Sequence, residues 1–287
     1  MRSVHGPTAG RRKLRTALRA ARDRAKLTQE DVAREMDWSL SKLIRIETGR
    51  VSVSTNDVKA LLDLYEIDDK TERDTLVELA RLARKKPWWQ DFREAVPADY
   101  AQFIGLEAEA DSLRIYQPTV VPGILQTEAY GRAILEGRAP SMLISDEGVQ
   151  ARSAVRMLRQ QEVLRSESPP KIHVILDEAV LRRVPGDVGI LRDQLNQLIR
   201  LGSADHVTVQ VVPLAAGAFC AGGHFIILSF PDDGDSDVVY LETVLDQEFI
   251  DRKDETAPYE AEFDRLSKVA LSHKDSLAFI KKVAGEL

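Results

Sequence analysis

The sequence predicts a multi-domain chain, an all-α head followed by a mixed α/β C-terminal domain, and three observations carry that reading. Up to about residue 70 the apolar residues recur at helical spacing between recognisable caps. Beyond about residue 96, short runs rich in β-branched residues alternate with amphipathic stretches. Charge divides in the same sense. The 287 residues hold 40 Lys and Arg against 46 Asp and Glu, net −6. Residues 1–60 hold 14 against 7, net +7, which leaves 26 against 39, net −13, for residues 61–287. A basic head on an acidic body is expected where the head alone meets a polyanion. A solvated helix face between Arg11 and Lys26 would give the same excess.

Residues 1–10, with Gly6, Pro7 and Gly10, read as a flexible arm, and residues 11–70 as the head. Arg11 to Lys26 is the first helix, with Leu14, Leu18 and Ala21 inward at i, i+4 and i+7. Thr28 with Asp31 is a capping-box pattern that opens a second helix, whose apolar side is Val32, Ala33 and Met36. Asp37-Trp38 is a tight break. Ser39 caps a third, short helix with Leu43, Ile44 and Ile46 on the packed side and Ser41, Lys42 and Arg45 outward; Gly49 ends it. Ser54 with Asp57 repeats the capping pattern ahead of Val58, Leu61, Leu62 and Tyr65.

Helix, three-residue break, short helix is the geometry that lays a second helix in the DNA major groove. A small helical bundle shows the same apolar spacing. The outward Ser41, Lys42 and Arg45 separate the two, because such side chains meet phosphates and base edges, and arginine reads guanine bidentately. Residues 71–95 read as a helical linker: Thr71 to Lys86 carries Leu76, Leu79, Ala80 and Ala83 on one side and stops before Pro87. The pair Trp88-Trp89 then marks docking of the head, a subunit contact or ordinary core burial.

In the body, residues 96–287, the expected order is a strand over Ala108 to Tyr116, a turn over Pro118 to Gly123 and a helix over Gln126 to Leu135. A long amphipathic helix, Glu147 to Arg165, has Val155, Leu158 and Val163 inside and Arg152, Arg156 and Arg159 among the rest. Strands follow at 171–176 and 207–212 with a helix, Val188 to Leu201, between them; Phe225 to Phe230 and Val238 to Thr243 form a hairpin. Helices Tyr259 to Leu271 and Ser276 to Ala284 close the chain. Strands flanked by helices imply a layered α/β body.

Cys220 is the only cysteine, which excludes a disulfide framework and a paired-thiol metal site. No apolar run approaches a membrane span and no apolar segment follows the N-terminal arginines, so a cytoplasmic protein without a membrane partner is expected. Ala215 to His224 lacks the lysine and hydroxyl of a phosphate loop. Asp232, Asp233, Asp235 and Asp237 have the wrong spacing for a calcium loop and suit a solvated hairpin. His173, His206, His224 and His273 lack metal-ligand spacing. No catalytic residue, metal or cofactor is therefore expected. His224 across the hairpin from Glu242 would make either an acid–base pair or a structural hydrogen bond. An enzyme would need a deep pocket converging on His224, Glu242 and an arginine of the Arg152 to Arg159 stretch.

Thr28-Gln29-Glu30, Ala33, Ser39, Arg45-Ile46-Glu47 and Gly49 resemble the phage-repressor-type (λ-repressor-like) helix-turn-helix of the xenobiotic-response-element class, over roughly Leu14 to Ile67. The resemblance implies a sequence-specific transcriptional regulator that binds double-stranded DNA; a single head offers few contacts, so a homodimer on a two-fold site is expected. It implies DNA contacts from Thr28, Gln29, Ser39, Leu40, Ser41, Lys42, Arg45 and Arg50: Gln29, Lys42 and Arg50 at phosphates, and Leu40, Ser41 and Arg45 at base edges. It also implies a buried ion pair between Arg22 and Glu47. Leu40 stands where such repressors often carry a polar base reader, and would meet a thymine methyl. In the body, the 122–127 run ProGlyIleLeuGlnThr with Tyr130, Arg156 with Arg159-Gln160, Asp177-Glu178 with Leu181, and the runs at 211–213 and 239–243 resemble the C-terminal domain of actinobacterial antitoxin-like regulators. That likeness implies a regulatory or partner-binding body, whose partner would be a small toxin-like protein encoded nearby.

Overall fold

The computed structural model describes residues 7–47, 51, 53–84, 98–142, 144–166, 168–217, 223–230, 237–243 and 247–287. The chain divides into two compact units near residue 90. The first six residues of the expected arm, Gly49, Arg50, the 85–90 stretch with both tryptophans, Cys220, and Asp232, Asp233 and Asp235 lie outside the described residues.

The head is all helical: α1 (Pro7–Arg24), α2 (Gln29–Glu35), α3 (Leu40–Glu47), α4 (Thr55–Leu64) and α5 (Lys70–Leu82). α1 begins inside the stretch expected to be an arm, with Pro7 at the first helical position, where its missing N–H costs nothing. Gly10 is helical rather than part of a flexible arm and packs on the end of α5: a Cβ there would make ordinary van der Waals contact, 3.4 Å from Leu82 Cβ and 3.5 Å from the Ala83 nitrogen. Arg11 Nε donates to the Ala83 carbonyl at 2.8 Å and so satisfies a terminal group of α5. Leu14, Leu18, Val32, Leu43, Leu61 and Leu76 are at the centre of one core, each side chain contributing about 1.5–3 kcal/mol by burial. Leu79 and Ala80 join it, so α5, expected as a linker, is part of the head.

Three helices of the head end alike. Leu27 N–H donates to Arg22 O, Trp38 to Ala33 O and Ile67 to Leu62 O, while Lys26, Asp37 and Glu66 N–H groups donate three residues back. This is the Schellman pattern, and it puts Lys26, Asp37 and Glu66 in the left-handed region at φ 57°, 54° and 55°. The break at Asp37-Trp38 is thus a tight turn built on a non-glycine residue.

The body carries six strands, β1 (Ser112–Gln117), β2 (Lys171–Asp177), β3 (Val207–Val212), β4 (Phe225–Ser229), β5 (Val238–Glu242) and β6 (Gln247–Ile250), in the order β3-β2-β1-β4-β5-β6. β1, β2 and β3 are parallel; β4, β5 and β6 continue the sheet antiparallel, with Ile115 opposite both Val174 and Ile226. Helices α6 (Ala98–Glu109), α7 (Glu128–Met142), α8 (Asp146–Leu164), α9 (Glu178–Arg182), α10 (Val188–Gly202), α11 (Lys253–Val269) and α12 (His273–Glu286) complete the body. One sheet face, with Leu113, Ile115, Val174, Val209, Leu228 and Tyr240, packs on residues of α6, α7, α8, α10 and α12. The other, with Tyr116, Ile175, Ile227 and Val239, packs on Phe263 and Leu266 of α11. The layered α/β class is the observed one.

Several local expectations change. The strand expected from Ala108 starts at Ser112, because residues 98–109 form α6 with Phe103, Ile104 and Leu106 buried. β6 and α9 were not foreseen; both are short. On α8, Leu158 is 36% exposed whereas Arg159 is 4% exposed, the reverse of the expected faces, because a carboxylate from α6 waits inside for the guanidinium. Among the described residues no helix is long and apolar enough to cross a membrane.

Candidate functional site

In the head, Thr28 accepts from the Asp31 N–H while the Asp31 carboxylate accepts from the Thr28 N–H, a complete capping box that sets the start of α2. Ser39 Oγ accepts from the Lys42 N–H at 3.2 Å and starts α3 in the same way. Leu43, Ile46 and Glu47 are the buried side of α3. Its exposed side is Leu40, Ser41, Ile44 and Arg45. Ile44, expected to pack, is 39% exposed, because burying Glu47 together with Leu43 and Ile46 rotates that position outward. Arg45 Nε donates to the Ser41 carbonyl at 3.2 Å. Lys42 is half-buried rather than outward, its ammonium 3.7 Å from the centre of the Trp38 ring and 3.9 Å from Asp57.

Beneath this face Arg22 Nε donates to Glu47 Oε1 at 2.7 Å and Nη2 to Oε2 at 3.3 Å, the bidentate form. Gln29 Nε2 donates to the same carboxylate at 2.6 Å, and Arg22 Nη1 to the Leu27 carbonyl at 3.0 Å. The hydrogen bond it donates to Glu47 holds the Arg22 guanidinium above its usual range, against its own burial. Burial, then Glu47, pushes the Tyr65 phenol well up. Of the residues assigned to DNA, then, Leu40, Ser41 and Arg45 share one exposed strip; Thr28 and Ser39 are caps; and Gln29 joins the ion pair. Arg50 falls outside the described residues.

In the body, His224, Glu242, Arg156 and Arg159 do converge on one cavity of about 120 Å³. Arg159 is not on the outer face of α8, where its place among the polar residues of that helix would put it. It is instead buried beside Glu107, with Nε 2.9 Å from Glu107 Oε2 in ion contact but without the alignment of a hydrogen bond, and Nη1 donating to Tyr100 Oη at 2.6 Å. Burial drives the Glu107 carboxyl up, and Arg159 opposes it. Three of the runs that carry the resemblance meet here, those at 122–127, 156–160 and 239–243. Gln160 Nε2 donates to the Gly123 and Gln126 carbonyls at 2.6 and 2.9 Å, and Arg156 Nη1 donates to Gln126 Oε1. A Cβ on Gly123 would sit 2.8 Å from Arg159 Nη2, so any larger residue would push the buried guanidinium from its place.

His224 and Glu242 do not form the expected pair: no N···O distance of 4.0 Å or less joins them, and Glu242 lies 3.9 Å from Arg138 instead. Burial holds His224 below its usual range, partly offset by Glu242. Asp237 is structural, accepting from Arg114 Nη2 at 2.8 Å and Ser229 Oγ at 2.9 Å. His273 accepts from the Val209 N–H and donates to Gly202 O, pinning α12 to β3. Among the described residues no group of three or more His, Cys, Asp or Glu side chains is arranged to hold a metal ion.

A family model described as a helix-turn-helix domain matches residues 13–76, from within α1 to within α5. A second, described as a domain of unknown function (DUF5753), matches residues 100–282, more than half of the chain. The chain belongs to the DUF5753 family. The DUF5753 match takes in the whole sheet and the cavity, and the helix-turn-helix match suggests a DNA-binding regulator. No curated protein and no solved structure matches the chain.

Proposed function

We propose that this DUF5753 protein is a sequence-specific transcriptional regulator of the xenobiotic-response-element class, non-enzymatic and cytoplasmic, which reads double-stranded DNA with α3. The observation that carries the reading is the exposed strip Leu40, Ser41, Ile44 and Arg45 on the second helix of a helix-turn-helix domain. Arg45 and Ser41 would meet base edges, and Leu40 with Ile44 would meet thymine methyls. Ser39, Lys42 and Arg50, close to that strip in sequence, and Thr28 at the start of α2 would meet phosphates; Gln29 and Lys42 would do so by turning away from Glu47 and Trp38. One head offers few contacts, so a homodimer on a two-fold site is proposed, its half-sites about one helical turn apart. The body is the regulatory part.

The test is a footprint on the protein's own promoter over a salt series. A protected two-fold site with affinity falling steeply as salt rises supports the reading. Salt-independent binding, or no protection, overturns it. Repeating the footprint with a small protein encoded nearby separates the antitoxin-type alternative: there the partner, rather than salt or sequence, would control occupancy.

A further inference from the structure

The cavity at the carboxyl end of β1 has the makings of a ligand site. β1 stands where the sheet changes direction, with β2 parallel on one side and β4 antiparallel on the other. In α/β sheets the crevice beyond the carboxyl ends of the parallel strands is a common place for ligands, and a concave site with a few convergent polar groups is the kind that holds one. Gln117 ends β1 here, His224 precedes β4, and Tyr240 and Glu242 close the site from β5.

Its polar groups are unevenly satisfied, and the unevenness selects a ligand. Tyr240 is 2% exposed, yet its buried hydroxyl has no hydrogen-bond partner among the described residues. Arg156 Nε and Gln117 Oε1 are likewise buried and without a partner. Orphaned buried groups of this kind are costly, and three together at one cavity is unusual. The charges are uneven too. Arg159 has Glu107 and Arg138 has Glu242, but among the described residues no carboxylate lies within 4.0 Å of Arg156. Burial keeps the Tyr240 phenol protonated and therefore a donor. Two donors, one of them on a cation with no carboxylate in ion contact, call for an anion, and Gln117 Oε1 calls for a hydroxyl or amine on the same molecule. The Phe103 and Tyr240 rings stack with centroids 4.2 Å apart, and Ile115 and Ile226 complete an apolar lining.

We propose that the DUF5753 body binds a small organic carboxylate with an apolar or aromatic frame and one further N–H or O–H donor, its carboxylate held by Arg156 and Tyr240 and its donor by Gln117. The site stands independently of the DNA reading, since binding is measured without DNA. The probes are 2-, 3- and 4-hydroxybenzoate, each against its uncharged amide, added at millimolar concentration to the full-length protein and followed by saturation-transfer NMR. Saturable binding of at least one hydroxybenzoate is expected, with its amide weaker by about tenfold or more. Arg156→Gln should abolish that preference for the acid, and Tyr240→Phe, which keeps the ring, should weaken the acid several-fold. Circular dichroism checks that each variant folds; if Arg156→Gln does not, Tyr240→Phe and the acid–amide comparison decide. No binding by any of the three acids, equal binding of acid and amide, or an unchanged affinity in Tyr240→Phe overturns the proposal.

Discussion

Arg22 and Glu47 meet inside the head at 2.7 Å, tying α1 to the last turn of the helix that exposes Arg45. Glu47 is 4% exposed, so removing its partner leaves a buried charge uncompensated. Arg22→Met is expected to destabilise the head by about 3–5 kcal/mol. Arg22→Met with Glu47→Leu should recover most of that, because well-packed apolar residues replace a buried pair at little net cost; Gln29 is half-buried and can turn to water. Hydrogen exchange over α1 to α3 reads both. If the single variant keeps full protection, the pair contributes nothing to holding α3.

Arg45→Ala should cost about 1–3 kcal/mol on the preferred site and relax preference at one base position. Competition between the preferred site and random DNA measures it. An equal loss on both would make Arg45 a phosphate contact only.

Lys26 and Glu66 occupy left-handed helix ends at φ 57° and 55°, where an L side chain is disfavoured and glycine is at home. Lys26→Gly and Glu66→Gly are each expected to stabilise the head by about 0.5–1 kcal/mol, net of the greater freedom glycine has when unfolded. Lys26→Val should do the opposite, since a β-branched side chain crowds that conformation. Thermal unfolding reads the sign; a Lys26→Gly variant that melts lower would mean that the lysine side chain is itself holding the turn.

Local signals made the head legible. The capping residues Thr28 and Ser39 and the i, i+4 apolar series of α1 act within one or two turns of the chain, so the sequence displays them directly. The resemblance, rather than spacing, pointed to Arg22 and Glu47. Reading failed where the deciding neighbour is remote. Arg159 looks like a surface charge until Glu107, 52 residues earlier, supplies its counter-ion, and Gly10 looks like a flexible link until α5 packs against it. The cavity is legible in the sequence only in fragments, because its walls come from α6, β1, α8, β4 and β5; His224, Glu242 and the α8 arginines stand out by residue type, whereas Gln117 and Glu107 carry no local signal.

His173 on β2 gives the body a pH dependence of definite sign. Its Nε2–H donates to Gln210 Oε1 at 2.6 Å, an orientation fixed because the Gln210 amide nitrogen donates to the Ser267 and Leu271 carbonyls. The ring also stands edge-on to Phe263 at 4.9 Å. Burial disfavours the imidazolium and holds the folded-state value below the usual one, with the Gln210 hydrogen bond opposing. The unfolded chain therefore takes up the proton first. The contribution of His173 to stability is complete above about pH 6.5 and is lost as pH falls below that, towards the folded-state value. His173→Gln, which keeps a donor without a titrating ring, should flatten the fall in stability between about pH 7.5 and 5.5. Denaturant unfolding of both proteins isolates the residue, since every other titrating group, including the raised Glu107 and the lowered His224, is common to the two. Identical slopes would show that the imidazole stays as easily protonated folded as unfolded.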